Sequence, residues 1–463
     1  MESPSDKTTK ETDIFDLSFT VSERYRRFFL VAPGFEQASA GSVGETSGVF
    51  RSDASPQAPF AAVTADVVSL SGGTVFAGLA TGSGDHVAAV YDGKRAAISV
   101  RRAGRTHLVG KAKAKLTGRF RFGFALCENQ VTVLADTGEG WQPLLTERDK
   151  VAAVLDLRDP GVLAGFTYAW GSADGKPVSI GHARGGLFGM TGLRDPHLVQ
   201  HSDGSPYIRD GKAYLTITCA GLGFFQQAHW GVFTLDLAEP SRLEQVAQLF
   251  THRDGLVLGD HAGQVVRDDE NDQWIVATSS WGDFAFDGVH ARHLTTREDV
   301  LSGVHLLETS PLKLPTSVSS WDPAITNIDG RWHVAFVESP SQQPFDFHPA
   351  LARGPRGAAW ADGLEMVDAV TDLHHCEGPI IAKVENKWWV LASDGENRCY
   401  PVYDLAMQRA GELDAPYPTN IPHPQIVPLP DRGYLMVTFN GAQYAEKVMK
   451  YGGHGQVVVM RSS

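Results

Sequence analysis

Between residues 63 and 136 apolar and polar positions alternate in short runs: VTADVVSL (63–70), GTVFAGLAT (73–81), HVAAVYDG (86–93), RAAISVRRAG (95–104) and RFRFGFALCENQVTVLAD (119–136). Gly, Asp and Asn interrupt them at intervals of about ten residues. A period of two sends successive side chains to opposite faces of a strand, one buried and one solvated. With these turn signals the pattern predicts an antiparallel β-sandwich. The segment GSADGKPVSIGHARGGLFG (171–189) is rich in Gly and Ser and reads as a joint between domains. The expected organisation is a sandwich over 1–185 and a second all-β domain over 186–463.

The second part repeats itself. Five segments share a polar head, a small residue or proline, a short apolar strand, a polar turn and an aromatic-rich strand. They begin at Asp195-Pro-His-Leu-Val, His261-Ala-Gly-Gln-Val-Val, Asp322-Pro-Ala-Ile-Thr, Glu377-Gly-Pro-Ile-Ile and His423-Pro-Gln-Ile-Val. The heads advance by 66, 61, 55 and 46 residues (195→261→322→377→423). Each unit continues into a further strand: HWGVFTLDL, GVHLLET, FHPALARG, CYPVYDL and GQVVVMR. A unit of about four strands repeated in this way predicts blades of a five-bladed β-propeller. The first strand of each blade lines the central channel, so the five heads converge on one mouth.

Charge narrows the functional classes. The 463 residues carry 41 Lys+Arg against 54 Asp+Glu, a net charge of -13. Phosphate binding needs a basic face, so no nucleic-acid partner is expected, nor an anionic membrane surface. Lys111, Lys113 and Lys115 alternate along one strand and read as a solvated face. No apolar run reaches the length of a membrane span. The start, MESPSDKTTKETDIF, lacks the basic and apolar regions of a secretory signal. If Met1 is the native start, the expectation is a cytoplasmic protein. Cys127, Cys219, Cys376 and Cys399 are scattered, which predicts reduced thiols rather than disulfides or a zinc site.

Arg194-Asp195-Pro196, Trp321-Asp322-Pro323 and Glu377-Gly378-Pro379 fall on units one, three and four, and Lys-Trp-Trp-Val-Leu follows the last. In order, spacing and placement these motifs resemble the five-bladed propeller glycosidases of glycoside hydrolase family 43: arabinanases, arabinofuranosidases and β-xylosidases. The resemblance covers the C-terminal part. It implies Asp195, Asp322 and Glu377 as catalytic residues and a carbohydrate as the partner. His423 resembles the family's channel histidine, which sits near a bound cation in many members. That makes a structural calcium or other cation the one cofactor in view, although no carboxylate cluster with calcium spacing accompanies His423 and no metal ligand is assigned. Two features depart from the family. The sandwich precedes the propeller here, and Cys376-Glu377 is similar to the retaining fructan hydrolases and invertases of the wider clan. The sandwich resembles a concanavalin-like jelly roll in strand pattern alone; it has no paired catalytic carboxylates and reads as a sugar-binding or packing domain.

The chemistry follows from the residue types. Glycoside hydrolysis needs one acid on the leaving oxygen and one carboxylate on the opposite face of the sugar. Glu377 is expected to be the acid, raised by a charge on Asp322, which modulates and orients it. Asp195 is expected to be the base of an inverting path, or the nucleophile of a retaining fructosidase or fructosyltransferase. The resemblance favours inversion. A non-catalytic carbohydrate-binding propeller is the alternative from another class. Arg194, His261, Trp281, Trp321, Arg398 and His423 are the substrate-binding candidates, the tryptophans as stacking surfaces and the arginines as hydroxyl or carboxylate partners. Asp260, beside His261, could equally face the substrate. Phe224 and Phe225 occupy the corresponding loop of the first unit.

Overall fold

The computed structural model describes residues 12–429, 433–443 and 454–462. Most of the polar start (1–11) and parts of the fifth repeat (430–432, 444–453) lie outside the described residues. Nearly all of the regular secondary structure in the described residues is strand, as the alternation predicts, and it forms seven sheets. Among the described residues no helix is long and apolar enough to cross a membrane.

Two sheets, of seven and six strands, share a core that includes Val63, Leu79, Val87, Ile98, Phe122, Phe124, Val133 and Trp170. The run 119–136 folds as a hairpin, Phe120–Cys127 against Gln130–Asp136, with Glu128 in left-handed backbone at the turn (φ 59). Phe124 pairs with Val133 on one side and Val63 on the other.

The expected joint is not a linker. Val178–Met190 is a strand inside the seven-stranded sheet, between Phe60–Ser69 and Phe29–Ala40. Its glycines serve close approach rather than flexibility. A Cβ on Gly185 would lie 2.7 Å from the Tyr168 side chain, and one on Gly186 would lie 2.5 Å from the Phe35 carbonyl. Thr191 alone separates this strand from Gly192–Leu198 in the next sheet, and its hydroxyl donates to the Ala220 and Gly221 carbonyls (3.1 and 3.0 Å). The boundary placed at 185 therefore falls within a strand.

Gly192–Leu198, His261–Asp268, Ser319–Ile328, Cys376–Val384 and Gln425–Pro428 each pair antiparallel with the next long strand of their own sheet. Successive members of this set touch, and Gln425–Pro428 touches Gly192–Leu198, so the five run round a ring. GVHLLET departs from its expected place. Gly303–Glu308 pairs in parallel with Leu243–Arg253 of the first ring sheet, not with the second.

The fifth sheet corrects the order of domains. Its outer strand is Phe19–Tyr25, paired antiparallel with His454–Ser462 (Val21 opposite Met460). Ile14, Leu17 and Phe19 bury themselves with Ile380, Tyr400 and Met436. The described residues thus pass first through the ring, leave it for the two facing sheets and return at Gly192. Residues 1–185 are not one sandwich domain, because a strand at one end of the chain completes a sheet formed by the other end. Phe60, Phe188, Phe250 and Val257 pack together where the inserted sheets meet the first ring sheet. Each fully buried side chain of this size contributes about 1.5–3 kcal/mol.

Candidate active site

Four of the five inner strands carry the same irregularity at their heads. The antiparallel register slips between Arg194 and His197, His261 and Gln264, Trp321 and Ala324, and Glu377 and Ile380. The second residue of each slip has left-handed backbone: Asp195 (φ 50), Ala262 (φ 54), Asp322 (φ 52) and Gly378 (φ 62). A bulge leaves an extra residue outside the ladder and re-aims its side chain. Arg194, His261, Trp321 and Glu377 are therefore equivalent positions, followed by Asp195, Ala262, Asp322 and Gly378. The expected alignment of Asp195, His261, Asp322 and Glu377 is out by one residue at the second and fourth sheets. Pro196, Pro323 and Pro379 follow in three of the four; proline has no N–H to leave unpaired there. Gly378 is required twice over, by its φ and by His423, whose ring lies 2.2 Å from where a Cβ would stand.

Asp195, Asp322, Glu377 and His423 meet at this mouth. His423 Nε2 lies 4.0 Å from Asp195 Oδ1 and 3.5 Å from Asp322 Oδ2. Asp322 is 3% exposed; its Oδ2 accepts from the Gly378 N–H (3.3 Å), and its own N–H donates to Ser279 Oγ (3.0 Å). Asp195 and Glu377 are partly exposed. Glu377 Oε2 accepts from the Trp321 indole N–H at 3.3 Å.

Their electrostatics diverge. Burial, the largest single influence, pushes the Asp195 carboxyl up, but the Arg194 guanidinium and smaller contributions that include the Thr218 hydroxyl together outweigh it, and the net position is below the usual aspartate range. Burial pushes Glu377 up to about 8, with the Asp195 charge adding to it and Trp321 and Arg194 opposing. Asp322 is also raised well above the carboxylate range, by burial and then by Glu377 and Asp195. The neighbouring charge that adds to the rise of Glu377 is that of Asp195. Asp195 is thus displaced toward its ionised form, and Glu377 and Asp322 toward their protonated forms.

The remaining candidates separate. Arg194 is buried and acts on both Asp195 and Glu377. His261 is buried, lowered to about 3 chiefly by burial, and donates from Nε2 to the Phe225 carbonyl (3.2 Å). Asp260 is committed elsewhere: it accepts from Arg253 Nε and Nη2 (2.7 and 2.9 Å), and Arg253 also holds Asp283 (2.6 Å). Trp281 and Trp321 are 6% and 1% exposed, so neither has the open face expected of a stacking surface. Trp281 lies parallel to His261 (14°), 4.6 Å from Phe225 and 5.3 Å from Trp321. Arg398 is exposed, lies over the Tyr417 ring (5.4 Å) and bonds the Tyr417 and Pro418 carbonyls (3.3 and 3.5 Å). His374 pairs with Asp346 and His375 faces Glu396, so adjacent histidines serve different partners.

Among the described residues no three His, Cys, Asp or Glu side chains form a group that could hold a metal ion. Sequence reading missed Thr218 and Ser279, the supports of Asp195 and Asp322. The signal was present: Thr218, Ser279 and Ser393 recur opposite the bulge heads Arg194, His261 and Glu377.

No family model and no curated protein matches the chain. Solved structures similar to it include the GH43_1 enzyme from Xanthomonas citri complexed with xylose (13% identity, TM-score 0.40, covering 57% of this chain and 88% of that one). Levansucrase from Bacillus subtilis, in a mutant form, is similar at 10% identity and TM-score 0.42, over 55% of this chain and 82% of that one. An α-L-arabinanase from Penicillium chrysogenum complexed with arabinobiose is similar at 10% identity and TM-score 0.37, over 75% and 91%.

Proposed function

We propose that the chain is a glycoside hydrolase, a five-bladed β-propeller with a jelly-roll sandwich inserted ahead of its first blade. The observation that carries this reading is the opposite displacement of two carboxyls at one mouth. Asp195 is held ionised and Glu377 protonated, the division of labour that glycosidic cleavage needs. In the inverting path Asp195 takes a proton from water as the oxygen attacks the anomeric carbon. Glu377 gives its proton to the leaving oxygen as the C–O bond breaks. Arg194 balances the charge on Asp195, and burial disfavours a second charge on Asp322 beside the acid. The motifs on units one, three and four point to arabinofuranosyl, xylosyl or related fructofuranosyl glycosides as substrates.

The Cys376-Glu377 pair favours a second reading, a retaining fructosidase or fructosyltransferase in which Asp195 attacks the anomeric carbon directly. The anomer of the first product, followed by NMR, separates the two. The glycosidase reading itself is tested on a panel of aryl arabinofuranosides, xylosides and fructofuranosides. Asp195→Ala and Glu377→Ala are each expected to lower turnover by about 10²–10⁴-fold; unchanged turnover in both overturns the reading.

A further inference from the structure

A cleft of about 880 Å³ lies where the inserted sheets meet the ring, within the ~300–1,000 Å³ usual for small-molecule sites. One wall is the Glu128–Gln130 turn of the sandwich; the other is formed by the ring loops that carry Phe224 and Phe286. Phe286 is unusual on two counts. It is 42% exposed, and its backbone is left-handed (φ 63), a conformation that costs a side-chain-bearing residue about 1–2 kcal/mol. Burial does not repay that cost at a site this open. The ring is instead propped over the cleft lip by Phe284 (4.6 Å) and Phe224 (6.0 Å, 27° between planes). Strain persists where surrounding structure imposes it, and it concentrates at ligand clamps.

The same aromatic cluster reaches the candidate acid. Phe224 touches Phe225 (4.3 Å), Phe225 touches Trp281, Trp281 touches Trp321, and Trp321 is bonded to Glu377. Hydrogen-bonding groups line the cleft beside the rings. Burial raises the Glu128 carboxyl, which accepts from the Gly259 N–H (3.1 Å), and Arg158 and Asp283 add a donor and an acceptor. An exposed ring face next to mixed donors and acceptors is the chemistry that binds a sugar, which has an apolar ring face and an equatorial fringe of hydroxyls.

We infer that this cleft binds further sugar units of an oligosaccharide whose reacting bond sits at the Asp195–Glu377 mouth, with Phe286 as the stacking platform. The ligand class rests on the glycosidase reading. It makes the substrate an oligosaccharide rather than a single glycoside, and it makes the sandwich part of the binding surface.

The test uses the full chain carrying Glu377→Gln, which keeps the neutral acid's shape and stops turnover. Binding of arabinotriose, xylotriose and kestose is measured by calorimetry, with and without Phe286→Gly and Phe286→Trp. The expected result is binding of at least one trisaccharide, weakened at least tenfold by Phe286→Gly and recovered by Phe286→Trp. The melting temperature of the glycine variant should stay level or rise, because glycine relieves the backbone strain. No trisaccharide bound, or binding indifferent to Phe286→Gly, overturns the inference, as does weakened binding accompanied by a lower melting temperature. Hydrolysis of aryl glycosides by the unmodified chain is assayed alongside. Phe286-dependent binding without any hydrolysis sinks the glycosidase reading and leaves the cleft; hydrolysis with Phe286-independent binding does the reverse.

Discussion

The Trp321 indole N–H donates to Glu377 Oε2 at 3.3 Å, joining equivalent bulge positions of neighbouring sheets. The bond orients the acid and favours its ionised form. Trp321→Phe keeps an aromatic ring near Trp281 and Phe347 but removes the donor. The Glu377 carboxyl should then titrate higher, and kcat/KM should fall about tenfold through lost orientation. A pH–rate profile reads both; an unmoved basic limb would show that the bond does not act on the acid.

The profile of the unmodified chain should be a bell. Asp195 must be ionised, and its carboxyl lies below the usual aspartate value, so the acid limb is displaced downward. Glu377 must be protonated, and it loses its proton near 8, so the basic limb falls there. Glu377→Gln should remove nearly all turnover. Azide or formate, supplied to stand in for the lost base, should restore a fraction of it in Asp195→Gly if Asp195 is the base.

Asp322 makes a prediction about stability. Its folded carboxyl is raised above the unfolded value near 3.8. The folded state therefore binds more protons than the unfolded one in the window above 3.8, and stability drains as pH climbs through that window. Below it the contribution is intact. Asp322→Asn cannot ionise, so thermal melts should show it gaining on the parent chain as pH rises from 4 to 8, with the two converging at the acid end.

Gly378→Ala should be severe. The added methyl meets the His423 ring at 2.2 Å in a left-handed backbone. A loss of roughly 2–4 kcal/mol is expected from strain and overpacking together, read by urea unfolding. Gly72 provides the control: it has a similar φ (79) but open space around it, so Gly72→Ala should cost only the backbone part.

Deleting residues 1–25 should abolish cooperative folding. The fifth sheet would lose its outer strand, and the buried Ile14, Leu17 and Phe19 would leave the Ile380–Met436 core open. Each of these side chains contributes about 1.5–3 kcal/mol, against a net stability of about 5–15 kcal/mol. Soluble yield and the sharpness of the thermal transition measure it.

Much of the site was legible because it repeats. Asp195-Pro, Asp322-Pro and Glu377-Gly-Pro mark three of the bulged heads, and their spacing reported the repeating sheets before any contact was known. Trp281 and Trp321 were misread as open stacking surfaces because exposure depends on what covers a ring. Here the covering residues are distant in sequence: Phe225, from the loop of another sheet, packs on Trp281, and Phe347, two strands away in the same sheet, packs on Trp321. The direction in which Arg398 turns is likewise set by Tyr417 and Pro418, which are distant in sequence.

By itself the sequence determined the all-β class, the five repeated heads and the carboxyls worth weighing, because periodicity and turn chemistry are local. Tertiary structure decided three things. It closed the fifth sheet with Phe19–Tyr25, a pairing across more than four hundred residues that no local pattern records. It turned the glycines of 178–190 from a linker into a packed strand, since a crossing neighbour is visible only in space. It also set which carboxyls keep their protons. Asp195 and Asp322 head their strands in the same motif, yet one stands beside Arg194 and the other is buried against two acids. Ionisation follows the surrounding field rather than the motif.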